Sequence, residues 1–223
     1  MKKITYENNF IYLCISLIAL LFSAALIHEF PGTWGEEFFS IVTILMFIVS
    51  IKSLNTEMKW KKLVYILIAL LVLITVLSKI FVLKYIVYLN LFILLFFFIG
   101  SFESAYKQIL FVGKKIDRNK IIGSLSLYIL LGLIWTVVYL LLLVMDPNAF
   151  SGIEPGTWHQ TFSRAAYYSF VTLTTLGYGD ILPTKPIAEF FVYMEAIIGV
   201  FYMAIIVSSL VSVALSNYVK KDN

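Results

Sequence analysis

The chain has 223 residues, 61% of them hydrophobic and only 13% charged, with a mean hydropathy of +0.94. Soluble domains carry about a quarter charged residues, so a single water-facing core could not hide this much apolar surface, and lipid is the solvent that the composition calls for. The net charge of +4 is explained by basic residues gathering on one side of a membrane rather than by a nucleic-acid partner, and a lone cysteine, Cys14, excludes a disulfide framework within the chain.

In chain order, apolar runs cover roughly 10–27, 36–54, 63–79, 82–100, 121–145 and 187–217. Each is near or above the length a helix needs to cross about 30 Å of hydrocarbon. They predict an all-α membrane protein with six transmembrane helices. Lys2 and Lys3 before the first run, with Ser23-Ala24-Ala25 near its end, loosely fit a cleavable leader; the run is read here as a span. The stretch "HEFPGTWGEE" after it reads as a turn with acidic flanks. With the N-terminus inside, only Lys79, Lys84, Arg164 and Lys185 of the 17 basic residues fall outside. That bias predicts a multi-pass protein of the cell membrane with both termini cytoplasmic.

The fourth run, "FVLKYIVYLNLFILLFFFIG", holds no arginine and one lysine, Lys84, near its outer edge. A voltage sensor needs several cations at every third position, because each charge moved through 100 mV contributes only about 2.3 kcal/mol. Little intrinsic voltage dependence is therefore expected. The link "FESAYKQILFVGKKIDRNK" mixes lysines with apolar residues and suits either an interfacial helix touching anionic lipid on the inner leaflet or a plain solvated connector.

Residues 146–186 enter from the outside and contain "TLTTLGYGD", Thr172 to Asp180. Thr161 to Thr174 have a helix-compatible composition, which Gly177 and Gly179 then break. Irregular backbone at membrane depth is tolerated only when buried in protein or lining water. Consecutive backbone carbonyls can replace a cation's hydration shell if all face one axis, and that needs an alternation of backbone angles which glycine permits. On this reading Thr175 adds a hydroxyl at the inner end, Leu176 and Tyr178 point away from the axis, Tyr167 and Tyr168 pack behind them, and Asp180 sits at the outer mouth.

"TTLGYGD" resembles the signature of potassium channels, closely similar to the TVGYG filter, with Leu176 where valine is usual; "AYYSFVTLTT" before it fits the same pattern, with tyrosines where many relatives have tryptophan. The stretch of roughly 121–217 resembles the small prokaryotic two-helix pores. The resemblance implies K⁺ sites at Thr175, Leu176, Gly177 and Tyr178, a filter closed by Gly179, and four copies around one axis, hence a homotetramer with three further identical subunits. It also implies a gating hinge at Gly199; close approach of another helix is the other reading of that glycine. From Gly199, Val200, Met203, Val207, Val211 and Leu215 recur at three or four residues and predict a pore-lining stripe; a helix–helix seam would show the same spacing.

Glu195 lies about two turns inside the last run, where a carboxylate needs a partner. It is expected behind the filter, bonded to the pore helix. His28 and His159 are isolated and expected in outer loops, with no metal site and no cofactor other than K⁺ in the filter. The expected layout is a four-helix module over 1–100 resembling an uncharged voltage-sensor domain, a linker over 101–120, a pore domain over 121–217 and a short tail over 218–223. The function read from these residues is passive, K⁺-selective conduction, and no span carries the nucleophile–base pair of an enzyme. Two other readings stand beside it: a membrane receptor with a vestigial pore, and the pore subunit of a potassium uptake transporter.

Overall fold

The computed structural model describes residues 9–30, 33–54, 58–80, 84–111, 118–154 and 156–208. Val211, Leu215, the tail over 218–223 and the middle of the linker lie outside them. The elements are α1 (Asn9–Ala25), a 3₁₀ turn (Ile27–Glu29), α2 (Trp34–Ser53), α3 (Met58–Ile80), α4 (Lys84–Phe111), α5 (Arg118–Met145), β1 (Phe150–Ser151), α6 (Trp158–Leu173), β2 (Leu182–Pro183) and α7 (Pro186–Tyr202), which runs into a π-helical turn over Met203–Val207. Among the described residues, five helices are long and apolar enough to cross a membrane: α2, α3, α4, α5 and α7 with its π turn. α1 is a shorter apolar helix of 17 residues. The chain is thus a predominantly helical, multi-pass membrane protein.

α5 is the hub. Its best apolar window is 61% buried, against 22% for α3 and for α7, because α1, α4, α6 and α7 all pack on it. α1 supplies an apolar stripe at helical spacing, Phe10, Leu13, Leu17, Leu20 and Ala24, all buried, and it meets both α2 and α5. Cys14 sits buried on the same seam. Phe47 of α2 stacks on Phe97 of α4 with ring centroids 3.5 Å apart. α3 lies at the edge against α4, where Gly100 leaves room for the Trp60 ring.

The ends of the helices are tied by different chemistry. At the end away from the GYG loop, uncharged groups from α1, α2, α4 and α5 form a buried knot. Asn9 Nδ2 donates to the Ser53 carbonyl at 2.9 Å and to Gln108 Oε1 at 3.2 Å, while its Oδ1 accepts from Asn119 Nδ2 at 2.6 Å. Asn119 Oδ1 in turn accepts the Phe10 amide at 3.2 Å, one of the first-turn donors that a helix cannot satisfy itself. At the other end, β1 pairs antiparallel with β2, Phe150 opposite Pro183 and Ser151 opposite Leu182. Thr184 N donates to the Ala149 carbonyl at 2.9 Å, and Lys185 Nζ lies 3.7 Å from Asp146 Oδ2. This ribbon closes the segment that holds α6 and the loop after it.

An Asn9→Leu variant removes the shared centre of the knot and leaves buried amides short of partners. Its expected cost is about 2–4 kcal/mol, read as a lowered thermal unfolding midpoint of the purified protein in detergent.

Candidate functional site

The loop after α6 is held by that helix's last turn. Thr174 N donates to the Phe170 carbonyl at 3.0 Å and Thr175 N to the Thr172 carbonyl at 2.9 Å. Leu176 N at 2.9 Å and Gly177 N at 3.4 Å both point to the Val171 carbonyl. Beyond that the backbone alternates in hand: φ is +60° at Thr175, +58° at Gly177 and +78° at Gly179, with no positive φ at Leu176 or Tyr178. Alternation in hand turns successive peptide groups to the same two sides, N–H on one and C=O on the other. Thr175 is β-branched and takes this conformation at a cost of about 1–3 kcal/mol. A Cβ on Gly177 or Gly179 would meet nothing within 4 Å in the single chain, so the backbone angle alone is what calls for glycine there.

The far end of the loop is clamped as well. Gly152, with φ +81°, lies so close to the Asp180 carbonyl that a Cβ would overlap it. Arg164 Nη2 donates to the Gly152 carbonyl at 3.1 Å and lies 3.8 Å from Asp180 Oδ2. The Tyr167 hydroxyl faces the Asp180 carboxylate. The Tyr167 and Tyr178 rings lie parallel with centroids 6.5 Å apart. Tyr168 does not join them. One position along the helix turns it about 100° away, where it is buried against Tyr139 and Phe150 at 5.3 and 5.4 Å. Leu176 and Tyr178 stay 54% and 67% exposed in the single chain, so neither is wedged into its own subunit.

α6 begins earlier than the composition suggested. Thr157 is its N-cap, in a capping box with Gln160, and that draws Trp158 and His159 into the first turn. His159 therefore belongs to the helix rather than to an outer loop. It packs on Trp158 with centroids 3.7 Å apart, and burial pushes its imidazole down to about 4. His28 falls in the 3₁₀ turn.

Behind the loop, Glu195 of α7 is completely buried. Its Oε1 accepts from Ser169 Oγ of α6 at 2.6 Å, and its Oε2 accepts from the Tyr139 hydroxyl of α5. Ser169 also reaches the Gly132 carbonyl at 2.8 Å, but Thr136 Oγ1 donates to that carbonyl at 2.7 Å, so Ser169 can give its single proton to Glu195 without leaving the carbonyl unmet. Tyr139, Ser169 and Thr136 gave no signal in the sequence. Only the need of Glu195 for donors pointed to them.

Gly199 sits where α7 crosses the end of α6. A Cβ there would come within 2.5 Å of the Leu173 carbonyl, which also accepts from the Tyr128 hydroxyl at 3.2 Å. The close-approach reading thus describes its surroundings. The irregular backbone comes four residues later, in the π turn over Met203–Val207, and such turns widen a helix locally. Val200 and Met203 are 53% and 51% exposed on the side away from the other helices. The Val207 side chain, like Val211 and Leu215, lies outside the described residues. Among the described residues no three His, Cys, Asp or Glu groups cluster as a metal site.

Comparison with known proteins fits this geometry. The sequence model of a family described as "Ion channel" matches residues 125–216, the stretch from α5 through the loop and beyond α7. The chain is 43% identical over 51 residues to two pore potassium channel c of Oryza sativa subsp. japonica, covering 23% of this chain and 11% of the relative. It is 32% identical over 88 residues to two-pore potassium channel 4 of Arabidopsis thaliana, covering 40% of this chain and 31% of the relative. The chain thus spans from about a tenth to a third of the length of these curated relatives. No solved structure matches it. An ion channel domain moves ions without breaking bonds, in keeping with the expectation that the chain is no enzyme. Its pore half is thus similar to ion channel sequences, two-pore potassium channels among them.

Proposed function

We propose that four copies of this chain form a K⁺-selective channel in the plasma membrane, conducting passively with little dependence on voltage. One observation carries the reading. The loop Thr175–Gly179 alternates in the sign of φ residue by residue, is exposed in the single chain, and is held from behind at both ends. Carbonyls of Thr175, Leu176, Gly177 and Tyr178, with the Thr175 hydroxyl, supply K⁺ with oxygen ligands in fourfold rings. One loop per chain supplies a quarter of each ring, so the reading requires a homotetramer.

The surface of α7 supports that assembly. Ile187, Phe190, Tyr193, Ile197, Phe201 and Ile205 are exposed apolar side chains in the single chain, available to pack against lipid or a neighbouring copy. Val200 and Met203 line the water-filled vestibule below the filter, and Asp180 gathers cations at the outer mouth. The two-pore relatives carry more than one pore by name, whereas this sequence has a single GYG loop. The GYG loop faces out, both termini face the cytoplasm, and Arg118 and Lys120 at the start of α5 meet the anionic inner leaflet.

Two measurements test the reading. Purified protein in liposomes is expected to carry K⁺ flux well above Na⁺ flux with a shallow voltage response, and Gly177→Ala, which forces a side chain into a left-handed position, is expected to abolish the preference. Flux that survives G177A with unchanged selectivity would overturn it. Tyr139→Phe is expected to leave a Glu195 oxygen without its donor and to lower stability by about 1–3 kcal/mol. Because Ser169 shares the same carboxylate, the loss in Y139F combined with Ser169→Ala is expected to differ from the sum of the two single losses, in thermal unfolding of the assembled protein.

A further inference from the structure

The first four helices, which the family match does not cover, meet the pore half at the start of α6. Glu36 opens α2, and its carboxylate crosses to the start of α6. Thr157 Oγ1 donates to Glu36 Oε1 at 2.7 Å. A hydroxyl has one proton, so this bond leaves the Thr157 oxygen free to accept, and it accepts the Gln160 amide at 3.4 Å while Gln160 Oε1 accepts the Thr157 amide at 3.2 Å. The capping of α6 is therefore a series: carboxylate to hydroxyl to helix amide. His159 Nδ1 lies 3.6 Å from Glu36 Oε2, too far for a hydrogen bond. With its imidazole held neutral by burial, it forms no ion pair either.

The donor and the acceptor are both held in place. Gly35 lies against the Ile27 backbone so closely that a Cβ would overlap it, which fixes the start of α2 on the turn after α1. One turn further on, Phe39 is buried against Phe162, Trp158 and His159 at 4.9, 6.1 and 6.1 Å. A negative charge at a helix N-terminus is also favoured by the helix dipole. From Trp158 to Val171, whose carbonyl carries the Leu176 and Gly177 amides, the helix is a lever of about 20 Å at 1.5 Å per residue. A small tilt at the capped end moves the base of the loop.

We propose that Glu36 is a positioning residue for the selectivity filter, and that α1–α4 act as a fixed clasp on the pore helix. The proposal rests on the channel reading above. Its test is the reversal potential of the reconstituted full-length protein under K⁺ and Na⁺ gradients, a ratio that does not depend on how many channels are folded. Glu36→Ala and Thr157→Val are each expected to raise relative Na⁺ permeability by about threefold or more, the factor that one hydrogen bond of modest net strength is worth. The double variant is expected to go no further than either single one, and Glu36→Gln, which keeps an acceptor oxygen, is expected to restore the ratio. An E36A channel with the wild-type ratio, or effects of E36A and T157V that fully add, would overturn the proposal. A wild type without K⁺ preference would sink the channel reading instead. In that case amide exchange at residues 158–161 still tests the clasp: faster exchange in E36A than in E36Q supports the hold on α6, and equal exchange refutes it.

Discussion

A carboxylate with no access to water joins the three helices of the pore half. Burying such a group is expensive unless every lone pair is met, and Glu195 is met from two directions, by Ser169 of α6 and Tyr139 of α5. Sliding any one of α5, α6 or α7 past the others would strand the carboxylate. The same junction dictates two glycines. Gly132 lets the Phe170 ring press onto α5, where a Cβ would come within 2.5 Å of it, and Gly199 lets α7 press onto the Leu173 carbonyl. The acid sets the register and the glycines set the depth, so the last turn of α6 reaches the loop at one height.

That height matters because the loop is strained. A left-handed Thr175 does not persist without support, and its support comes from outside the loop. The Val171 carbonyl holds two amides at one end, while Gly152, Arg164 and Tyr167 hold Asp180 at the other. The strain and the anchoring are two sides of one arrangement: alternating backbone is kept only where both ends are clamped.

Much of this was written locally in the sequence. Apolar runs gave the helices, and two glycines around Tyr178 gave a loop that could not be helix. What escaped notice was long-range or uncharged. The Asn9 knot joins residues 44, 99 and 110 positions apart, and amides at helix ends look like ordinary surface. Trp158 and His159 read as loop because the cap at Thr157 outweighs their modest helix preference. Tyr167 and Tyr168 looked like a pair, yet adjacent helix positions diverge by about 100°, so one serves the loop and the other the helix packing. At Gly199 the type of residue was informative but not its use: a hinge and a close contact select glycine for the same missing atom.

The module of the first four helices can be weighed by energy. To act as a voltage sensor, α4 or its neighbours would have to move relative to α5. Charges on α4 are limited to Lys84, Glu103 and Lys107, and the last two pair with each other at 2.5 Å. One elementary charge crossing the whole field yields about 2.3 kcal/mol per 100 mV. Against it stand the buried amide knot at one end of the α1–α2 hairpin, the Glu36 contact at the other, and the apolar stripe of α1 along α5. Each broken buried hydrogen bond costs about 1–3 kcal/mol, a cost that any sliding of these helices would have to meet. Helices fastened at both ends in this way give the pore helix a fixed support on the side of Glu36.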